Sequence, residues 1–133
     1  MSESQRWQIG EVSARTELSV KTIRHYDEVG LVVPSARSAG GFRLYTDADV
    51  ARLIAIRRMK PLGFTLDEMR ELLAALDVLD DHEAAQDARA RAGEYLALCH
   101  TRAAEACASL SRQLGYAREL TDQLARYSTQ QSR

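Results

Sequence analysis

From about His82 to Arg126 the chain has no proline and no strand-like alternation. Small or apolar residues recur there at spacings of three and four: Leu96, Cys99, Ala103, Cys107, Leu110, Leu114, Ala117, Leu120 and Leu124. That period describes a helix with one continuous apolar stripe. Uninterrupted, the helix would be about 65 Å long at 1.5 Å per residue. Gly93 and Gly115 each cost up to about 1 kcal/mol relative to alanine, so bending or fraying is expected there. A 133-residue chain has too little remaining mass to cover such a rod. The stripe therefore needs a partner, and a second copy is the simplest one. The acidic stretch "DVLDDHEAAQDARA" precedes the rod. It sets a boundary near residue 77, with a compact unit over 1–77 and a dimerisation helix with its tail over 78–133.

The compact unit reads as short helices around a hairpin. Ile9, Val12 and Leu18 mark the buried side of a first helix and its turn. "RTEL" has the length of a helix-turn-helix corner. Ser19 is an N-cap for a second helix, and Gly30 stands where a glycine would close it. "LVVPSARSAGGFRLYT" reads as a β-hairpin with Gly40-Gly41 as a two-residue turn. Thr46 caps a further helix, which Pro61 ends. Thr65 and Glu68 form a capping box for the next, whose apolar face carries Leu66, Met69, Leu72, Leu73 and Leu76. The expected fold is mainly α: a winged helix-turn-helix unit, then a long antiparallel coiled-coil helix.

Net charge is −1, which alone argues against a nucleic-acid partner. The distribution argues for one. Between Arg15 and Lys60 there are nine Lys/Arg against five Asp/Glu, and the remainder is acidic by five. Screening confines a charge to about 8–10 Å, so the local surplus decides. Lys21, Arg24, His25 and Glu28 follow i, i+3, i+4, i+7 and share one helix face. Lysine and arginine there can donate to guanine edges or to phosphate. The hairpin adds Arg37, Arg43 and Tyr45, and Arg57, Arg58 and Lys60 form a third basic point. Helix, hairpin and helix end together make a winged helix-turn-helix footprint on DNA. Plainer roles stay open: Tyr26 lies between Ile23 and Val29 and suits a core, and any one of the Arg57–Lys60 cations suits a solvated face.

Residues 8–76 resemble the DNA-binding domain of the MerR family of bacterial transcription regulators. The resemblance rests on "IGEVSARTELSVKTIRHYDEVGL", "GGFRLYTDADVARL" and "IRRMKPLGFTLDEMRELL". It implies a homodimer on palindromic promoter DNA, between the two promoter elements that RNA polymerase recognises. It implies control by bending and untwisting the DNA so that those elements come into register. By position it assigns base or nearby phosphate contacts to Lys21 and Arg24, backbone contacts to Thr22, His25 and Tyr26, and phosphate clamping to Arg37, Phe42, Arg43 and Tyr45. His25 departs from the aromatic ring common in the family. Phe42 departs from its tyrosine, and can pack but cannot donate to phosphate. An architectural DNA-bending protein without an effector is the alternative, and a coiled-coil adaptor a more distant one.

The cysteines bear on an effector. Many metal sensors of the family carry a cysteine pair after the long helix, and "YSTQQSR" holds none. Cys99 and Cys107 lie within the helix about 12 Å apart, too far for a disulfide in one chain. Their plain role is as small buried hydrophobes. The stripe is also pseudo-palindromic about Ala103, which would set Cys99 against Cys107 of an antiparallel partner, with His100 close by. That arrangement would be a soft-metal or thiol-redox site. No other cofactor is expected. No phosphate loop, nucleophile–base pair or CxxC or HExxH motif is present, so an enzyme is not expected and no catalytic residue is assigned. No apolar run approaches the roughly 20 residues of a membrane span, and no signal segment opens the chain, so a cytoplasmic, nucleoid-associated protein is expected. With 56 residues after residue 77, a separate drug-sensing domain is not expected.

Overall fold

Ser19 fixes the relation between the first two helices. Its hydroxyl accepts the Thr22 N–H at 3.0 Å and donates to Thr22 Oγ1 at 2.8 Å. Helix α2 (Val20–Glu28) therefore starts directly after the corner that leaves α1 (Ile9–Thr16). In the computed structural model, which describes residues 6–131, Glu17 turns this corner with φ 61°. A non-glycine residue there costs on the order of 1 kcal/mol. The cost is offset locally: Thr16 Oγ1 donates to the Val12 carbonyl at 2.8 Å and Ser13 Oγ to the Leu18 carbonyl at 2.6 Å. Gly30, at φ 72°, closes α2. Its N–H reaches the Asp27 carbonyl at 3.0 Å, and the Leu31 N–H reaches the Tyr26 carbonyl at 2.8 Å. This is a Schellman closure, in which the left-handed conformation favours glycine.

Three short strands form one antiparallel sheet in the order β1-β3-β2: β1 Arg6–Gln8, β2 Ala36–Arg37 and β3 Arg43–Thr46. Strands β2 and β3 are the expected wing. Its turn differs from the expected two-residue Gly40-Gly41 reversal. The Ser38 N–H donates to the Phe42 carbonyl and the Gly41 N–H to the Ser38 carbonyl, each at 2.9 Å, so the loop is residues 39–41. Gly41 takes the left-handed position at φ 84° that a three-residue hairpin loop requires. Strand β1 leaves no signal in the sequence, because three residues carry too little alternation to register. Trp7 anchors it: Nε1 donates to Asp47 at 2.9 Å, and the Arg15 guanidinium stacks 3.5 Å from the ring centroid.

Helix α3 (Asp47–Met59) opens on the expected capping box between Thr46 and Asp49. Asp49 does more than cap. Its Oδ2 also accepts the N–H and Oγ–H of Ser35, at 3.1 and 2.7 Å, which ties the bend after Pro34 to the helix start. Pro61 ends α3 in one 3-10 turn, Lys60–Leu62. Helix α4 (Leu66–Asp80) opens on the Thr65–Glu68 capping box and runs past residue 77 to Asp80. Helix α5 (Gln86–Gln131) begins four residues later than the His82 start read from the sequence. It is 46 residues long, about 69 Å, and passes Gly93 and Gly115 without interruption.

The core joins all these elements. Val12, Ile23, Tyr45, Leu53 and Ile56 are fully buried, with Tyr26, Met59, Phe64, Met69 and Leu73 around them. The first turns of α5 belong to it: Ala92 and Cys99 are buried and Tyr95 packs against it. From residue 111 to 130, α5 stands clear and every residue is exposed.

Candidate nucleic-acid interface

Helix α2 divides as its spacing predicts. Ile23 is buried, while Lys21, Arg24, His25 and Glu28 are exposed on the opposite side. Neither Lys21 nor Arg24 has a hydrogen-bond or ion-pair partner among the described residues. Their charges are available to an incoming ligand. Thr22 is half-buried and held by Ser19 at the helix start. Burial at 4% puts the Tyr26 ring in the core, 6.0 Å from that of His25, and leaves at most its hydroxyl for the backbone contact assigned to it. The reason is helical geometry: three residues separate it from Ile23, on the apolar side.

The wing is built around a residue that sequence reasoning passed over. Asp27 accepts from Arg43 Nε at 2.6 Å and from one Nη of Arg37 at 3.4 Å, both on the same carboxylate oxygen. Asp27 belongs to α2, so the carboxylate joins the wing to the recognition helix. It raises the Arg43 guanidinium above its ordinary pKa through that hydrogen bond. An acid nine residues before the wing's first strand has no distinctive spacing, and only the folded hairpin brings it under the arginines. Phe42 is 66% exposed at the wing tip. Tyr45 is not a phosphate clamp. It is fully buried and its hydroxyl has no hydrogen-bond partner. Strand pairing sets it across from Trp7, on the face turned into the core.

The third basic point separates into two. Arg57 donates to the Thr16 carbonyl at 2.9 Å and to Glu17 at 3.3 Å, so it closes the C-terminus of α1. Arg58 and Lys60 remain exposed. The same device recurs elsewhere. Arg70 donates to the Val29 and Gly30 carbonyls at the end of α2, and Arg89 to those of Val78, Leu79 and Asp81 at the end of α4. These arginines satisfy helix-end carbonyls that would otherwise lack partners.

Burial argues against the thiol pairing. Cys99 is 8% exposed and packs into its own chain's core at the edge of an open groove, which leaves little of it to meet Cys107 of a second copy. Cys107 is exposed on α5, and His100 lies at the surface beside an open groove lined by Met59, Leu62, Phe64 and Leu72. The apolar period is continuous, but its first part faces α4 and only the rest is free. Among the described residues no three His, Cys, Asp or Glu side chains gather to hold a metal ion, and no helix is long and apolar enough to cross a membrane.

Two family models match: the MerR HTH family regulatory protein over residues 7–76, and the MerR DNA-binding region over 50–127. Together they span the helix-turn-helix, the wing and most of the long helix. The chain belongs to the MerR family. It is 42% identical over 89 residues to the transcriptional regulator HmrR of Sinorhizobium medicae, a match covering 67% of this chain and 59% of HmrR. It is 36% identical over 99 residues to ZntR of Escherichia coli, covering 74% and 70%. Among solved structures, the transcription regulator PbrR691 of Ralstonia metallidurans, in complex with lead(II), superposes with TM-score 0.55 at 34% identity, covering 87% of this chain and 84% of that one. HiNmlR, a MerR family regulator lacking the sensor domain and bound to promoter DNA, superposes with TM-score 0.67 at 20% identity, covering 94% and 92%. That second likeness is one of fold.

Proposed function

We propose that the chain acts as a homodimeric transcription regulator. It would bind a palindromic promoter site through two copies of α2 and the wing, beside RNA polymerase on the same promoter. It would act by bending and untwisting the DNA, a deformation worth about 1–6 kcal/mol. The observation that carries the reading is the free pair Lys21 and Arg24. Among the α2, wing and corner cations that the chain's own acids and carbonyls do not engage, these two share one exposed helix face. Such a face suits the major groove.

The exposed part of the α5 stripe supports an antiparallel dimer. With Cys99 turned inward, the free seam runs Cys107, Leu110, Leu114, Ala117 and Leu124, with Thr121 at its centre line and Leu120 of the stripe flanking it. Folded about a point between Gly115 and Tyr116, it pairs Cys107 with Leu124, Leu110 with Thr121, and Leu114 with Ala117 of the second copy. Each layer sets a larger residue against a smaller one, and Gly115 at the crossing allows close approach. The crossing therefore lies about three and a half turns beyond Ala103.

Selection from random duplex DNA tests the reading. The expected product is an inverted repeat whose half-sites lie one helical turn, about 34 Å, or a multiple apart. Placed at varying positions in a fragment, that repeat should retard migration most when central, as bent DNA does. Recovery of no repeat, or migration independent of position, contradicts the proposal.

A further inference from the structure

The Asp27–Arg43 pair does more than brace the wing. Its geometry divides the arginine into two parts. Nε donates to Asp27 at 2.6 Å, while the two Nη groups have no partner among the described residues. The Asp27 carboxylate is 10% exposed and the Arg43 side chain 25% exposed, so the bond lies beneath the surface with the fork end outward. Arg37 approaches the same oxygen at 3.4 Å. Two guanidinium groups face one carboxylate, which leaves the cluster positive. Asp27 also lies three residues beyond Arg24 on the same helix. One rigid helix thus carries a groove-facing cation and, through Asp27, the wing's cation.

We infer that Asp27 is a positioning residue for DNA binding: it orients the Arg43 fork toward a phosphate at a fixed displacement from Arg24. An arginine side chain without such a tether must give up its rotamer freedom on binding. One already held by Nε loses less, and its planar fork suits a phosphate oxygen pair. The simpler electrostatic expectation runs the other way, because an acid near phosphates should repel them. The two views differ in the sign of the effect of removing Asp27.

The inference rests on the DNA-binding reading, and one experiment separates the two. Affinity of the full chain for its selected duplex is measured against salt for the wild type, Asp27→Ala, Arg43→Ala and the double variant. Wild-type affinity should fall steeply with salt; absence of such binding overturns the DNA reading itself. Given that binding, Asp27→Ala should weaken affinity about tenfold and reduce the log–log salt slope by about two per dimer, one phosphate per subunit. Arg43→Ala should do the same, and the double variant should be no weaker than Arg43→Ala alone. Asp27→Asn, which keeps the side-chain shape while removing its charge, is read by the same criteria if Asp27→Ala melts below the assay temperature. An unchanged slope, a gain in affinity, or additive losses in the double variant overturn the inference.

Discussion

Arg57 of α3 donates to the carbonyl of Thr16, the last residue of α1, at 2.9 Å. The bond ties the third helix to the corner on which the recognition helix is mounted. Arg57→Ala should therefore lower stability by about 1 kcal/mol, since the arginine is only half-buried and the carbonyl can find water. Its effect on the salt slope of DNA binding should be smaller than that of Arg24→Ala. Chemical denaturation midpoints and binding isotherms check both. An unchanged midpoint with a reduced slope would return Arg57 to the DNA-contacting set.

Tyr45→Phe should leave stability unchanged or raise it by up to about 1 kcal/mol, because the hydroxyl it removes is buried without a partner. DNA affinity should not move. A loss of tenfold or more would show that the hydroxyl reaches phosphate after all.

The same burial predicts a response to alkali. Desolvation raises the Tyr45 phenol above its ordinary 10.0, and burial followed by the nearby Cys99 raises Tyr95. With folded values raised, the unfolded chain ionises first. The stability held by the neutral phenols is full below about pH 10 and is lost as pH rises through the folded values. The melting temperature should fall above that pH, less steeply in Tyr45→Phe and Tyr95→Phe. Parallel profiles in wild type and both variants would contradict this.

These cases show what the sequence made legible. Caps are local: Ser19, Gly30, Thr46 and Thr65 act within four residues of where they stand, and each was readable. So was the exposed face of α2, because period alone sets it. What escaped depends on distant pairing. The Asp27 contacts, the arginines closing helix ends, and strand β1 all join segments that no spacing rule connects. Tyr45 differs from its sequence reading because arginine and aromatic residues on adjoining strand positions look like a binding surface until the sheet packs. The stripe of α5 was read correctly as apolar. Its division between α4 and open solvent depends on where α5 docks, and that moved the expected crossing away from Ala103.

Oxidative cross-linking tests that crossing. With the crossing between residues 115 and 116, Cys107 lies beside position 124 of the second copy. It lies about 25 Å along the rod from its own counterpart, counting 1.5 Å per residue. Leu124→Cys should cross-link rapidly while Cys107 is present and not in a Cys107→Ser background. The wild type should not cross-link through Cys107. Ready cross-linking of either single-cysteine form would indicate parallel helices, and capture through Cys99 would place the crossing at Ala103.

The claim that α2 reads DNA through its free cations meets its most direct test in Arg24→Ala. DNA selection and affinity should be measured together, across a range of salt. The account predicts an affinity loss of about 1–3 kcal/mol per half-site contact, with preference relaxed at one base position in each half-site and retained elsewhere. An unchanged preferred sequence with unchanged affinity would contradict it.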